Sequence, residues 1–206
     1  LIDSIARLAW GRDTSRNRRA VTEPFPRGDA STFAAHDLVT QPDLREMLDE
    51  YPYLSILGKL NYLMRMTRPD IAYAVSVLSS YAHTFGPKMV EAMEHLVAFV
   101  VATRHESLIY RAGGSLSEQI VVLSDASYAS DLITRRSRTG LVILVYGCPI
   151  QWQSIKQKTV SLSSMEAETV ALTEVAKKTV WLRRVLAFLG HPPSGPTVCL
   201  VDNKST

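Results

Sequence analysis

The chain has 206 residues, 46% of them hydrophobic, and a formal net charge of +3. This length accommodates one large or two small domains, and the apolar fraction is enough for a buried core. The small net charge does not by itself indicate a polyanionic partner, and no apolar run approaches the roughly 18 residues that a membrane span needs. The composition therefore predicts a folded, soluble protein without a membrane role.

The two cysteines, Cys148 and Cys199, lie in apolar runs, where a thiol behaves as a small hydrophobic side chain. We therefore expect neither a disulfide nor a thiolate metal site, and no signal-peptide pattern opens the chain. Both observations predict an intracellular compartment. The chain starts at Leu1 rather than at methionine. It ends at Thr206, four residues after Asp202, the acidic residue that follows the last apolar run. We therefore expect a piece of a longer protein.

In chain order, the sequence divides into three stretches. Residues 1–50 are polar and rich in arginine, with prolines interrupting any period, which predicts a short helix and then a mostly irregular lead-in. Residues 51–112 have a helical period. A glycine-rich break at 111–115 precedes short apolar runs that are typical of strands, so we place a second domain at 116–206.

Apolar residues between Tyr53 and Thr103 recur at spacings of three or four, which predicts three amphipathic helices. Proline is tolerated in the first turn of a helix, so Pro69 fits the start of the second helix, and Gly86 and Pro87 separate it from the third. By itself this stretch is typical of a helical bundle. The apolar positions are Leu54, Leu57, Met64, Ile71, Val75, Leu78, Ala82, Met89, Met93, Leu96 and Val100.

The second half of the chain predicts strands, a hairpin and one long helix. A turn at Gly147–Pro149 makes the middle two strands a hairpin. The order strand, hairpin, helix, strand predicts an α+β fold in which a helix crosses over a mixed sheet. The elements are a strand at 120–124, a basic loop at 131–138, strands at 140–146 and 150–155, a helix at 164–189 and a strand at 198–201.

Two of these apolar strands end in an aspartate. Asp125 closes the first strand and Asp202 closes the last. Continuous hydrophobic strands are typically buried on both faces, central and parallel. If these two are neighbours, their chains lie roughly 5 Å apart and both carboxylates emerge at the carboxyl edge of the sheet, where open sheets bind ligands.

The long helix supplies a third acid. Ser163 and Glu166 match a capping box, which gives Glu166 a structural role. Glu168 lies three residues after Met165 and seven before Val175, on the apolar stripe that should face the sheet. The spacing therefore directs Glu168 toward the two aspartates.

Three carboxylates held together repel by roughly 4 kcal/mol for each close pair at an effective dielectric near 20. A divalent cation would offset this repulsion, and an all-oxygen site suits Mg²⁺ or Mn²⁺, two of which can clamp the attacking and leaving oxygens of a phosphodiester. A purely structural role stays open for each acid. Aspartates that end strands often form turns, and a glutamate on an apolar stripe can form a salt bridge.

At these residues the sequence resembles the ribonuclease H region of copia-type retrotransposon Pol polyproteins. The resemblance runs from about Tyr51 to the end of the chain. Its motifs occur in order and are specific to that family. They are Tyr53–Leu63, Thr67–Val75, Ser124–Ala126, Arg135–Gly140, Trp152, Lys156–Val160, Ser163–Glu168, Trp181–Arg184 and Asp202–Ser205.

The resemblance implies a helical connection region that follows a polymerase, and then a ribonuclease H-like mixed sheet with packed helices, lacking its C-terminal elements. The family's metal-binding carboxylates fall on Asp125, Glu168 and Asp202. The implied reaction is hydrolysis of the RNA strand of RNA–DNA hybrids with Mg²⁺, or Mn²⁺, as the cofactor. The family's fourth acid and the polymerase aspartate pair are absent from the chain, which puts polymerisation and full ribonuclease H activity in doubt.

The resemblance also implies a nucleic-acid face and partners. Cationic side chains bordering this face can hold phosphates. The expected partners are an RNA–DNA hybrid and the rest of the Pol polyprotein, with its upstream polymerase, in a cytoplasmic particle or the nucleus and away from any membrane. The expected phosphate-binding residues are Arg135, Arg136, Arg138, Lys156 and Lys158, although an ordinary solvated basic loop stays an alternative.

Two other functions are compatible with the sequence. The first is a non-catalytic element remnant that only folds or binds nucleic acid, which the missing fourth acid favours. The second is another enzyme on a related sheet, such as an integrase or a nucleotide hydrolase, but the chain has no glycine-rich phosphate loop.

Overall fold

A computed structural model describes residues 1–11, 21–26, 33, 38, 50–111 and 119–202. Within these residues the chain is α+β, with five α-helices and one four-stranded mixed sheet. It forms two compact units, 1–108 and 109–206. Most of the lead-in predicted before residue 51, and most of the break predicted at 111–115, lie outside the described residues.

The first unit is helical, and its helices agree with the three predicted between residues 53 and 103. A 3-10 turn, Pro69–Ile71, leads directly into the middle one of these, so the proline opens the turn before the α-helix. Within the described residues the helices are α1 (Ile2–Trp10), α2 (Tyr53–Met66), α3 (Ala72–Ser79) and α4 (Pro87–Ala102).

The buried face of α2 differs from the predicted one. Its buried residues are Tyr53, Ile56, Leu57, Leu60 and Leu63. Leu54 is 55% exposed, so the prediction that it faces the core is wrong. Tyr53 is buried instead. Its hydroxyl donates to the carbonyl of Leu78 at 3.1 Å, and its ring stacks on Phe85 with 4.2 Å between the ring centroids.

The motif at 67–75 acquires a structural explanation through Arg68, which is only 5% exposed. Its guanidinium donates to both carboxylate oxygens of Asp70, the closest at 2.7 Å, and to the carbonyl and hydroxyl oxygens of Thr103. It also lies 5.5 Å from the centre of the Phe99 ring. One buried arginine therefore ties the turn before α3 to the end of α4, which gives this motif a role in packing.

The second unit contains the sheet and one long helix. The strand order is β3-β2-β1-β4, with β4 parallel to β1 and the other pairs antiparallel. The predicted mixed sheet with a helix between its last two strands is confirmed. The elements are β1 (Ile120–Ser127), β2 (Arg138–Val145), β3 (Cys148–Lys156), α5 (Ser164–Phe188) and β4 (Val198–Val201).

Helix α5 packs on one face of β1 and β2. Val175 and Leu182 of the helix form a core with alternate strand residues, among them Val122 and Ile143. Alternation places every second residue of a strand on this face. The covered face therefore carries Val122 and Ser124, whereas Asp125 belongs to the opposite face.

The hairpin turn begins one residue earlier than predicted and ends two residues earlier. Tyr146 and Gly147 form it, with φ angles of 50° and 76°, and Cys148 and Pro149 already belong to β3. Two consecutive positive φ angles match the twist of a tight hairpin. The proline is compatible with β3 because this strand lies at the edge of the described sheet.

The prediction that both aspartate-closed strands are buried on both faces is wrong for β4. Strand β1 lies between two neighbours, but β4 is the edge strand of the described sheet. Val198 is 43% exposed and Leu200 is 52% exposed. Both exposures follow from the edge position, since no described strand lies beyond β4.

Among the described helices, none has the length and apolarity to cross a membrane.

Candidate functional site

The pairing of β1 with β4 brings the two aspartates to one edge of the sheet. The strands are parallel, and their last paired residues are Ser124 and Val201. Asp125 and Asp202 are the next residues of each chain, at a backbone separation of about 5 Å for neighbouring strands. Both side chains are exposed. The backbones of Asp125 and Asp202 therefore lie side by side, as predicted.

Glu168 reaches the same edge from α5. Its side chain is 7% exposed, and its Oε1 accepts a hydrogen bond from the backbone N–H of Ala126 at 3.1 Å. Ala126 lies beyond the last residue of β1 that pairs with β4. The carboxylate of Glu168 thus binds β1 beyond the point where β4 stops, next to the two aspartates.

The surroundings of Glu168 raise the pKa of its carboxyl group. Burial raises the pKa of this carboxyl group, the hydrogen bond from Ala126 opposes the shift, and the negative charges of Asp125 and Asp202 raise the pKa further, so that the net pKa is above its ordinary value of 4.5. Oε2 of Glu168 is buried and has no hydrogen-bond partner within the described residues. A charged Glu168 is therefore incompletely compensated by the groups around it.

The three acids fit a divalent cation by donor type, since carboxylate oxygens suit Mg²⁺, and through the unpartnered Oε2 of Glu168. Their side chains nevertheless do not converge: in the described part of the chain, no three His, Cys, Asp or Glu side chains form a group able to hold one ion. Strand alternation gives a physical reason, because Asp125 belongs to the sheet face opposite α5, from which Glu168 approaches.

The start of α5 follows the predicted capping pattern with one difference. The Oγ of Ser163 accepts the N–H of Glu166 at 3.1 Å. The carboxylate of Glu166 accepts the N–H of Leu162 at 2.7 Å, one residue before the cap. Met165 is 51% exposed, so the apolar stripe predicted to include it is displaced, and the helix instead buries Ala167 next to Glu168.

The five predicted phosphate-binding residues have different surroundings. Arg135, Arg136 and Lys158 are exposed. Arg138 is only 4% exposed and lies in β2. The Nζ of Lys156 donates to the carboxylate of Asp131 at 2.9 Å. Three of the five side chains are thus accessible to a ligand as they stand, and Lys156 has a structural partner.

Asp131 organises the basic loop, a role that the sequence analysis missed. Its side chain is 2% exposed, and its Oδ1 accepts the backbone N–H groups of Ile133 and Thr134 at 3.1 and 2.8 Å. Burial acts to raise the pKa of Asp131, but the hydrogen bonds and the charge of Lys156 outweigh it, and the net pKa lies below its ordinary value. The available sequence signal was an aspartate at the start of a loop, where its side chain can bond the next N–H groups.

Comparison with known proteins identifies relatives of the chain. It is 40% identical over 131 residues to a secreted RxLR effector protein 161 of Plasmopara viticola, a match that covers 64% of this chain and 91% of that protein. It is 40% identical over 139 residues to the retrovirus-related Pol polyprotein of transposon TNT 1-94 from Nicotiana tabacum, covering 68% of this chain and 10% of the polyprotein. It is 32% identical over 158 residues to the corresponding polyprotein of transposon RE1 from Arabidopsis thaliana, covering 77% and 11%.

No family model matches the chain, and no solved structure matches it. The chain spans about a tenth of the length of the Pol polyproteins it resembles. It spans nearly all of the effector protein.

Proposed function

Because the chain belongs to a family of retrotransposon Pol-related sequences, we propose that it supplies the ribonuclease H-like part of such a polyprotein and takes part in hydrolysing the RNA strand of RNA–DNA hybrids. The observation that carries the proposal is the placement of Asp125, Asp202 and the buried Glu168 at one edge of a mixed sheet. Acids brought to one sheet edge can hold the divalent cations that phosphodiester chemistry uses.

Asp125, Glu168 and Asp202 would hold Mg²⁺ or Mn²⁺, which supplies an activated water and stabilises the leaving oxygen. Glu168 would contribute Oε2, because the N–H of Ala126 holds Oε1 and Oε2 has no hydrogen-bond partner within the described residues. Asp125 and Asp202 are exposed, and binding of the ion would require their side chains to move toward Glu168.

Hybrid binding is assigned to the basic loop and the segment after β3. Arg135, Arg136 and Lys158 are exposed and offer cations to phosphates, which fix position without reading sequence. Lys156 supports this surface indirectly through its ion pair with Asp131. Recognition of the 2′-hydroxyl would distinguish the RNA strand from DNA.

The test is a cleavage assay on a hybrid with a labelled RNA strand, with RNA duplex and DNA duplex as controls. We expect the chain, produced within the complete reading frame that encodes it, to cut the RNA of the hybrid with Mg²⁺ or Mn²⁺, and the 206-residue chain alone to cut it weakly or not at all. Asp202→Asn should reduce the rate by about a hundredfold or more. Absence of cleavage by the complete product with either metal would refute the proposal.

A second candidate is a non-catalytic protein that folds or binds nucleic acid without turnover. Two observations favour it: the chain covers 91% of a relative named as a secreted effector, and no described group of three side chains is arranged to hold an ion. Hybrid binding that survives in a protein without cleavage, and that Arg136→Ala weakens, would favour this candidate over the nuclease.

A further inference from the structure

Gln157 is a buried amide at the junction between β3 and α5. Its side chain is 5% exposed. The amide nitrogen donates to Oγ1 of Thr139 at 3.0 Å and to the carbonyl of Ala167 at 2.9 Å, while the amide oxygen accepts the hydroxyl of Ser161 at 3.2 Å. Both donors and the acceptor of one amide are therefore used, by three different segments of the chain.

These bonds close a ring of contacts around the buried carboxylate. Thr139, which Gln157 binds on β2, is the cross-strand partner of Ala126 on β1. Ala126 donates its N–H to Glu168. Glu168 follows Ala167, whose carbonyl is the other acceptor of Gln157. The amide thus fixes the second turn of α5 against the strand pair that binds the carboxylate.

The carboxylate needs such a support. Glu168 is buried, its Oε2 lacks a partner in the described residues, and two further acids lie nearby, so electrostatic repulsion acts to move it away from β1. Displacement of a functional group by about 1 Å can reduce a rate by about a hundredfold. The single described hydrogen bond from Ala126 opposes that movement on the strand side, and Gln157 opposes it on the helix side.

We propose that Gln157 is the positioning residue of Glu168: it holds the start of α5 on β2 so that the carboxylate stays bound to the N–H of Ala126. The role in catalysis rests on the proposed nuclease function, but the positioning itself does not. The Gln157 side chain is buried and, unlike the exposed Lys158, is not accessible to the hybrid, so its loss should lower kcat and leave KM for the hybrid nearly unchanged.

The positioning is measured on the 206-residue chain without metal, by the amide signal and hydrogen exchange of Ala126 in NMR spectra. Gln157→Met keeps the length of the side chain and removes all three bonds. We expect exchange at Ala126 to rise by about tenfold and its amide shift to move toward that of Glu168→Ala, in which the bond cannot form. In the complete product, kcat should fall by about a hundredfold with KM within about twofold.

Leu182→Ala is the control, because this buried residue lies in the core between α5 and the sheet, four turns away from Glu168, and lowers stability without touching the ring of contacts. It should leave the Ala126 shift in place. If Gln157→Met prevents folding, Thr139→Val and Ser161→Ala each remove one bond and should give intermediate shifts.

The outcomes separate the two proposals. Folded Gln157→Met, Thr139→Val and Ser161→Ala chains with the wild-type Ala126 signal would overturn the positioning role, whatever the cleavage assay shows. A displaced Ala126 signal in the Gln157→Met chain, together with no hybrid cleavage by the wild-type complete product with Mg²⁺ or Mn²⁺, would support positioning and refute the nuclease function.

Discussion

Two glutamates of α5, two positions apart, have opposite surroundings. Glu166 is exposed and caps the helix start through Leu162, whereas Glu168 is buried beside two other acids. Because the folded protein raises the pKa of Glu168, its ionisation lowers stability as pH rises above the ordinary value of 4.5, and the loss is complete above the raised pKa. The sequence identified the capping role of Glu166, since the capping box is a local pattern, and the role of Glu168 as a metal ligand stays a prediction.

We predict that Glu168→Gln raises the free energy of unfolding at pH 7 by about 1 kcal/mol, because glutamine keeps the acceptor for Ala126 and removes the charge. The gain should disappear at pH 4, where the unfolded chain also protonates the acid. Thermal melts without metal across pH 4 to 8 measure this, and the same variant should abolish hybrid cleavage.

Glu166→Gln is the matched control, and it should change stability by less than about 0.5 kcal/mol and leave cleavage intact, since an amide oxygen also accepts the N–H of Leu162. An inactive Glu166→Gln together with an active Glu168→Gln would show that the metal-ligand assignment is wrong.

Asp131 and Glu174 form a second contrast between buried and exposed acids. The carboxylate of Asp131 is 2% exposed and binds Lys156, whereas that of Glu174 is 46% exposed and binds Lys177. We predict that Asp131→Asn lowers the free energy of unfolding by about 2 kcal/mol at pH 7, and that Glu174→Gln lowers it by less than about 0.5 kcal/mol.

The pH dependence has the opposite sign to that of Glu168. Folding lowers the pKa of Asp131 below its ordinary value of 3.8, so its contribution to stability is complete above that value and is lost as pH falls through the folded pKa. Denaturant titrations of wild type and Asp131→Asn should therefore differ fully at pH 7 and converge in acid. A difference that persists unchanged at pH 2 would contradict the assignment of the ion pair.

At the scale of elements, the second unit's strands and long helix were predicted within a few residues, because period and turn signals are local. The hairpin turn differs from its predicted position because Tyr146 has a positive φ, which its residue type does not indicate. The exposure of Leu54 and of β4 was missed for another reason: which neighbour covers an apolar face is decided by residues distant in the sequence.

Two glycines in different elements should respond oppositely to alanine. Gly147 has a φ of 76° in the hairpin turn, where a Cβ is strained, so Gly147→Ala should destabilise the protein by about 1 kcal/mol. Gly58 lies inside α2 with nothing within 4 Å of an added Cβ, so Gly58→Ala should stabilise it by about 0.5 to 1 kcal/mol. Denaturant midpoints measure both, and shifts of the same sign would contradict these local conformations.

At the scale of the whole molecule, the sequence predicted the α+β class, the mixed sheet and the placement of Asp125 and Asp202 at the ends of neighbouring strands, because strand termini carry that information. The buried polar residues that connect separate segments were not predictable in the same way. Arg68, Asp131 and Gln157 each join segments that are far apart in the chain or hidden in a loop. Their residue types are ordinary surface types, and only burial reveals what they do.

The position of β4 at the sheet edge makes the candidate site conditional on local folding. This strand has four residues, pairs on one side in the described sheet, and exposes most of its side chains, so its detachment requires less free energy than that of β1. Asp202 follows its last residue and leaves with it. A ligand that bridges Asp202 to Asp125 or Glu168 binds only the attached state, and by linkage it must stabilise the attachment of β4 by the free energy of its own binding. Occupancy of the site and order in the last strand are then two measures of one equilibrium.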